Sequence, residues 1–103
     1  MRITKVDILA IGVHPDDVEL SCSGTLLKHI DLGKKVGLLD LTLGELGTRG
    51  TAEIRAAEAE EATRRMGIDW RRNLDIGDGF FTYSKENLKK IIAIIREAQP
   101  SIV

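Results

Sequence analysis

Apolar and polar positions along this chain switch between two rhythms, and the order of the switches predicts the architecture. Residues 6–13 (VDILAIGV) are β-branched and aliphatic with little alternation, the pattern of a strand buried on both faces of a parallel sheet. Asp7 is expected at its rim. Pro15 cannot donate to a ladder and holds His14 extended, so the strand should end near His14. Between Asp17 and Leu32 the apolar residues fall at Val18, Leu20, Leu26, Leu27, Ile30 and Leu32. A helix over 24–31 fits, capped by Ser21 or Ser23 and ended by Gly33 in a left-handed conformation. A second buried strand follows over 36–43. After a glycine-rich loop, Thr51 predicts an N-cap for a helix over Ala52–Met66 that Gly67 closes. Its stripe of Ala52, Ala56, Ala59, Ala62 and Met66 suggests close packing on a sheet or helix, and Glu60/Arg64 and Glu61/Arg65 are spaced as ion pairs. A short strand is expected at 73–76, then a turn at 77–79 and an aromatic group of Phe80, Phe81 and Tyr83. Ser84 caps a helix to about residue 98, with Leu88, Ile91, Ile92 and Ile95 at helical spacing. Pro100 stops it, and 101–103 reads as the start of a fourth strand.

Strand and helix alternate throughout, which predicts an α/β fold: a Rossmann-like three-layer sandwich with a mainly parallel sheet and right-handed crossovers. Ending where a fourth strand has just begun gives the further expectation that residues 1–103 are the amino-terminal part of one domain, truncated before its carboxyl-terminal half. The totals narrow the function classes. With 15 basic and 16 acidic residues and a net charge of −1, the chain lacks the basic excess of a nucleic-acid or membrane-surface protein. No apolar run approaches the ~18 residues of a membrane span, and no signal-peptide apolar region opens the chain. A single cysteine makes no internal disulfide, which favours a cytoplasmic location.

Candidate chemistry gathers just past the first strand, in Val13-His14-Pro15-Asp16-Asp17-Val18-Glu19. His14 and Asp17 are three apart across a turn, so an imidazole nitrogen and a carboxylate oxygen can converge on one ion, a mixture zinc accepts. Two ligands are one short of a catalytic zinc site, and His29, on the first helix, has no reason to reach the turn. Asp16, between them, suits general-base work beside a metal-activated water. Glu19 reads as orienting a ligand or bonding the following loop. Helix capping accounts for any one of these acids alone, because a helix start favours negative charge. In the loop at 44–51 the glycines let N–H groups face a ligand, while Arg49 and Arg55 can grip a carboxylate or phosphate. A solvent-facing charge for Arg49 and an ion pair of Arg55 with Glu58 are the plainer readings. Cys22 reads as a packing residue.

Taken together, Ile11-Gly12-Val13-His14-Pro15-Asp16-Asp17-Val18-Glu19, Gly24-Thr25-Leu26, the loop from Gly44 to Gly50 and Glu53-Ile54-Arg55 resemble the LmbE-like (PIG-L) zinc-dependent N-deacetylases. Within that family they are most similar to the bacillithiol-biosynthesis type, which deacetylates N-acetylglucosaminyl malate. The resemblance implies that His14 and Asp17 bind Zn2+, that Asp16 is the general base toward a zinc-activated water, and that Arg55, with Glu45 and Arg49 of the loop, meets the substrate. It further implies an N-acetylated sugar as the small-molecule partner, a trimeric or hexameric homo-oligomer, and a third zinc ligand in a His-Pro-Asp-His motif beyond Val103. Two other readings stay open on the residues alone. One is a receiver-like magnesium domain with Asp75 or Asp78 as phosphoacceptor, in which His14 has no role; the other is a non-catalytic fragment that completes a partner's sheet.

Overall fold

The computed structural model describes residues 2–44, 50–77 and 84–103. Three parallel strands, β1 (Ile8–Gly12), β2 (Val36–Asp40) and β3 (Trp70–Asn73), form a sheet in the order β1-β2-β3. Between and after them run helices α1 (Asp17–Asp31), α2 (Ala52–Met66) and α3 (Lys85–Ala98). Successive strand residues point to opposite faces, and each face has its own core. Leu9, Leu39 and Trp70 pack with Ile94 and Ala98 of α3. On the other face Ile8, Val36 and Leu38 pack with Val18 and Leu26 of α1, joined by Met66 of α2. This is the three-layer α/β arrangement the alternation predicts.

Beyond α3 the chain returns to the far side of β1. The Leu9 N–H donates to the Ile102 carbonyl at 2.9 Å, the Ile102 N–H to that of Asp7 at 3.1 Å, and a parallel bridge joins Ile8 to Ile102. The sheet therefore grows outward from β1 in both directions, with α1 and α2 on one face and α3 on the other. The carboxyl end of β1 lies at this reversal, the position where open α/β sheets bind ligands.

Several elements differ from the sequence expectation. The strand expected at 73–76 begins earlier, at Trp70. Its indole lies against Gly37, where a Cβ would come within 2.4 Å of the ring, and donates from Nε1 to the Thr4 carbonyl at 2.9 Å. Leu74 and Ile76 still bond to Asp40 and Leu41, so the extended line continues as far as 76. β1 and β2 are shorter than 6–13 and 36–43, although Leu41 and Thr42 go on donating to Gly12 and Val13 at 2.9 Å. α1 starts at Asp17 rather than near 24, with Asp16 at the N-cap position, and breaks its helical geometry at Cys22 (φ −141°, ψ 18°). Ser21 is no cap: its Oγ donates back to the Asp17 carbonyl at 2.6 Å.

The two later helices follow their local signals. Thr51 accepts from the Ile54 N–H, Gly67 closes α2 at φ 77°, and Ser84 accepts from the Asn87 N–H. The expected stripe of α2 packs only in part: Met66 joins the core, and Ala59 and Ala62 are half-buried. Thr63 is its buried residue, while Ala52 and Ala56 are exposed and line an open cleft with Ala59. Polar Arg71 and Asn73 of β3 share that cleft, which keeps the alanine stripe from seating on an apolar strand. On the outer face Glu61 takes both Arg64 and Arg65, so Arg64 pairs with Glu61 and not with Glu60.

Candidate active site at the end of the first strand

The turn after β1 is tied to its own backbone. The His14 carbonyl accepts the N–H groups of Asp16 (2.8 Å) and Asp17 (3.1 Å). In return Asp17 Oδ2 accepts the His14 N–H at 2.9 Å and lies 3.6 Å from His14 Nδ1. The imidazole and carboxylate therefore do converge, and both side chains stay partly open to solvent, at 44% and 42% of full exposure. Asp16 offers its carbonyl to the Leu20 N–H at 2.9 Å, but its exposed side chain makes no capping hydrogen bond. Capping thus does not account for the Asp16 carboxylate.

Behind the turn, buried Thr42 acts as a latch. Its N–H and its Oγ1 both donate to the Val13 carbonyl at 2.9 Å, and Oγ1 accepts the Gly44 N–H at 3.2 Å. Asn73 Nδ2 reaches across from β3 to the Thr42 carbonyl at 2.6 Å. Arg55, in the first turns of α2, donates from Nη1 to the Gly44 carbonyl. A Cβ on Gly44 (φ 69°) would lie 3.1 Å from that Nη1 and 3.5 Å from Pro15 Cδ, so Arg55 and the metal-type turn meet over one glycine. Glu45 and Arg49 lie outside the described residues, as do Asp78, Phe80, Phe81 and Tyr83. His29 sits in the last turn of α1, at the opposite end of the helix from Asp17.

Glu19 bonds a strand rather than the following loop. It pairs with Arg71 of β3, Oε2 to Nη1 at 3.0 Å and Oε1 to Nη2 at 3.2 Å. The same guanidinium grips Asp40 at the end of β2, Nε to Oδ2 at 2.6 Å and Nη2 to Oδ1 at 3.1 Å. Arg71 and Asp40 keep only 8% and 2% of their side-chain exposure. Burial raises the Asp40 pKa, with the Arg71 hydrogen bond and charge opposing the rise and Glu19 adding to it. Burial alone would lower that of Arg71, but the bonds to Asp40 and Glu19 outweigh it and the net direction is up. Sequence analysis missed this triad and Thr42; the one signal available was an acid, Asp40, inside the largely apolar run 36–43.

Among the described residues, two recesses flank the turn. A cleft of about 320 Å³ runs between α2 and the ends of β2 and β3, with Pro15, Asp40, Ala56, Thr63, Arg71 and Asn73 in its walls. A second, of about 510 Å³, follows the edge of β1 along α1 to Asp17. The nitrogen and oxygen donors of His14 and Asp17 fit two positions of a zinc site. Among the described residues, no group of three or more His, Cys, Asp and Glu side chains gathers to complete one. Asp75, a receiver's phosphoacceptor candidate, lies beyond β3 as an exposed residue at φ 51°.

Comparison with known proteins gives a consistent answer. The family model described as GlcNAc-PI de-N-acetylase (PIG-L) matches residues 9–103. Diacetylchitobiose deacetylase of Thermococcus kodakarensis is 34% identical over 103 residues, covering 93% of this chain and 39% of the relative. Among solved structures, the conserved protein TT1542 from Thermus thermophilus superposes with a TM-score of 0.86 at 42% identity, over 92% of this chain and 43% of that one. N,N'-diacetylchitobiose deacetylase from Pyrococcus horikoshii does so with a TM-score of 0.84 at 34% identity, over 90% and 38%. The chain thus spans about two-fifths of the length of these relatives.

Proposed function

The chain belongs to the PIG-L family, and on that footing we propose that it forms the amino-terminal part of a metal-dependent hydrolase that removes the N-acetyl group from an N-acetylglucosamine-type sugar. The observation that carries this reading is the convergence of His14 Nδ1 and Asp17 Oδ2 beside an Asp16 carboxylate free of capping duty. His14 and Asp17 would hold the metal, with a third protein ligand supplied from beyond Val103. A zinc ion bound there supplies Lewis-acid polarisation and a more acidic water.

The chain's own residues carry the rest. The Asp16 carboxylate takes a proton from the attacking water as its oxygen bonds to the amide carbon. It then returns that proton to the sugar nitrogen as the C–N bond breaks, so that acetate and a free amine leave. Arg55, which donates to the Gly44 carbonyl next to Pro15, would hold a substrate oxygen at the mouth of the site. By the family resemblance, Glu45 and Arg49 would also meet the substrate. No helix among the described residues is long and apolar enough to cross a membrane. The proposed enzyme is cytoplasmic, acts on a small sugar and assembles as a trimer or hexamer.

For the aglycone, the two diacetylchitobiose deacetylases among the relatives favour a chitobiose-like disaccharide over the malate glucosaminide implied by the sequence resemblance. Acetate release from N,N'-diacetylchitobiose and from N-acetylglucosaminyl malate, measured before and after chelation and zinc readdition, tests both parts. Activity lost on chelation and restored by zinc is expected, with the disaccharide turned over faster. Undiminished activity without metal would refute the mechanism, and faster turnover of the malate compound would refute the aglycone assignment.

A further inference from the structure

We propose that Arg71 is a positioning residue: through Glu19 it fixes the first turn of α1, and with it the geometry of His14, Asp16 and Asp17. Its consequence for catalysis rests on the deacetylase reading; the positioning itself does not. α1 is broken at Cys22. Helical geometry lapses there, so the turn carrying Asp17 is uncoupled from the longer run of helix that follows. Val18 is the one side chain of that turn buried in the core. Glu19 supplies a second point of attachment, to a strand 52 residues away in sequence.

A guanidinium has five N–H donors in a planar fork, and here every one is matched. Nε goes to Asp40, Nη1 to Glu19 and the Ala59 carbonyl (3.3 Å), and Nη2 to Glu19 and Asp40. One side chain thereby joins the start of α1, the end of β2 and the middle of α2. A lysine, with three donors on a single point charge, cannot reproduce this set. Burying one cation with two carboxylates is rarely the most stable way to fill such a space, and Asp40 and Arg71 line the same cleft as Pro15 of the turn.

Amide hydrogen exchange in the metal-free whole protein tests the proposal, because the N–H groups of His14, Asp16, Asp17 and Leu20 all make defined bonds within the turn. Arg71→Lys should speed exchange over residues 14–21 about tenfold or more, the scale of one lost charge-assisted bond, while 23–31 and β1 keep their protection. Glu19→Gln preserves shape and should move the same amides in the same direction, and it decides the matter if Arg71→Lys does not fold. In active protein, Glu19→Gln should lower kcat with KM little changed. Unchanged exchange over 14–21, or a rise spread evenly over the domain, overturns the proposal. Should the wild type release no acetate, the deacetylase reading fails, and the exchange pattern still decides the role of Arg71.

Discussion

The two ends of the sheet use the same kind of residue in opposite ways. At the amino end, Asp7 Oδ2 accepts the Lys35 N–H and Asp69 Oδ2 the Val36 N–H, each at 2.8 Å. These carboxylates seal the entry to β2, where the incoming chain has backbone donors without strand partners. At the carboxyl end, Asp16 caps nothing and Asp17 shares its oxygen between a backbone N–H and an imidazole. Deeper in, Asp40 and Glu19 are consumed by Arg71. An aspartate count distinguishes none of these uses. What separates them is whether the acid's acceptor capacity is already filled by the fold, and at the Asp16–Asp17 turn it is not.

Substitutions can break or sharpen that contrast. The largest effect should come at the open end: His14→Ala is expected to lower zinc-dependent deacetylation by at least about 100-fold, beyond the 10–100-fold typical of outer partners of a metal ligand. Its melting temperature should stay near wild type. Next comes Arg71→Ala, which strands two buried carboxylates and should cost about 3–5 kcal/mol in denaturant unfolding. The pH dependence of that variant has a definite sign. Unpaired burial raises the folded pKa of a carboxylate above its unfolded value, so stability is greatest at acid pH and falls as pH rises through the raised value. Acidification should therefore recover part of the loss.

At the sealed end, Asp69→Ala should cost about 1 kcal/mol through the orphaned Val36 N–H, with catalysis untouched. A comparable loss of kcat there would erase the distinction between the two ends. The smallest effect concerns Asp40, whose folded pKa is already raised by burial. Its contribution to stability is present below the ordinary carboxylate range and is lost as pH climbs through the folded value. Asp40→Asn should accordingly flatten the stability–pH profile on the alkaline side of pH ~4.

Legibility in the sequence followed the range of the interactions. Thr51, Gly67 and Ser84 set helix ends through bonds to residues a few positions away, and both α2 and α3 fall where those signals put them. His14 and Asp17, three apart, were legible for the same reason. The start of β3 was hidden because Trp70-Arg71-Arg72 looks polar until Gly37 opens a slot for the indole. The start of α1 was hidden by Ser21 and Ser23, which resemble caps but lie inside a helix that breaks at Cys22. Arg71 could not be paired from sequence at all, since its partners are 31 and 52 residues away and no local pattern selects them. Thr42 likewise gains its role only when β1 and β3 arrive on either side.

The central claim is that the uncapped carboxylate of Asp16 moves the proton. Its most direct test is kcat for acetate release by Asp16→Asn in the zinc-loaded, active protein, at metal content equal to wild type. The account predicts a fall of about 10²–10⁴-fold, the range of a lost general base, with metal binding and melting temperature retained. An Asp16→Asn protein that releases acetate at the wild-type rate would contradict it.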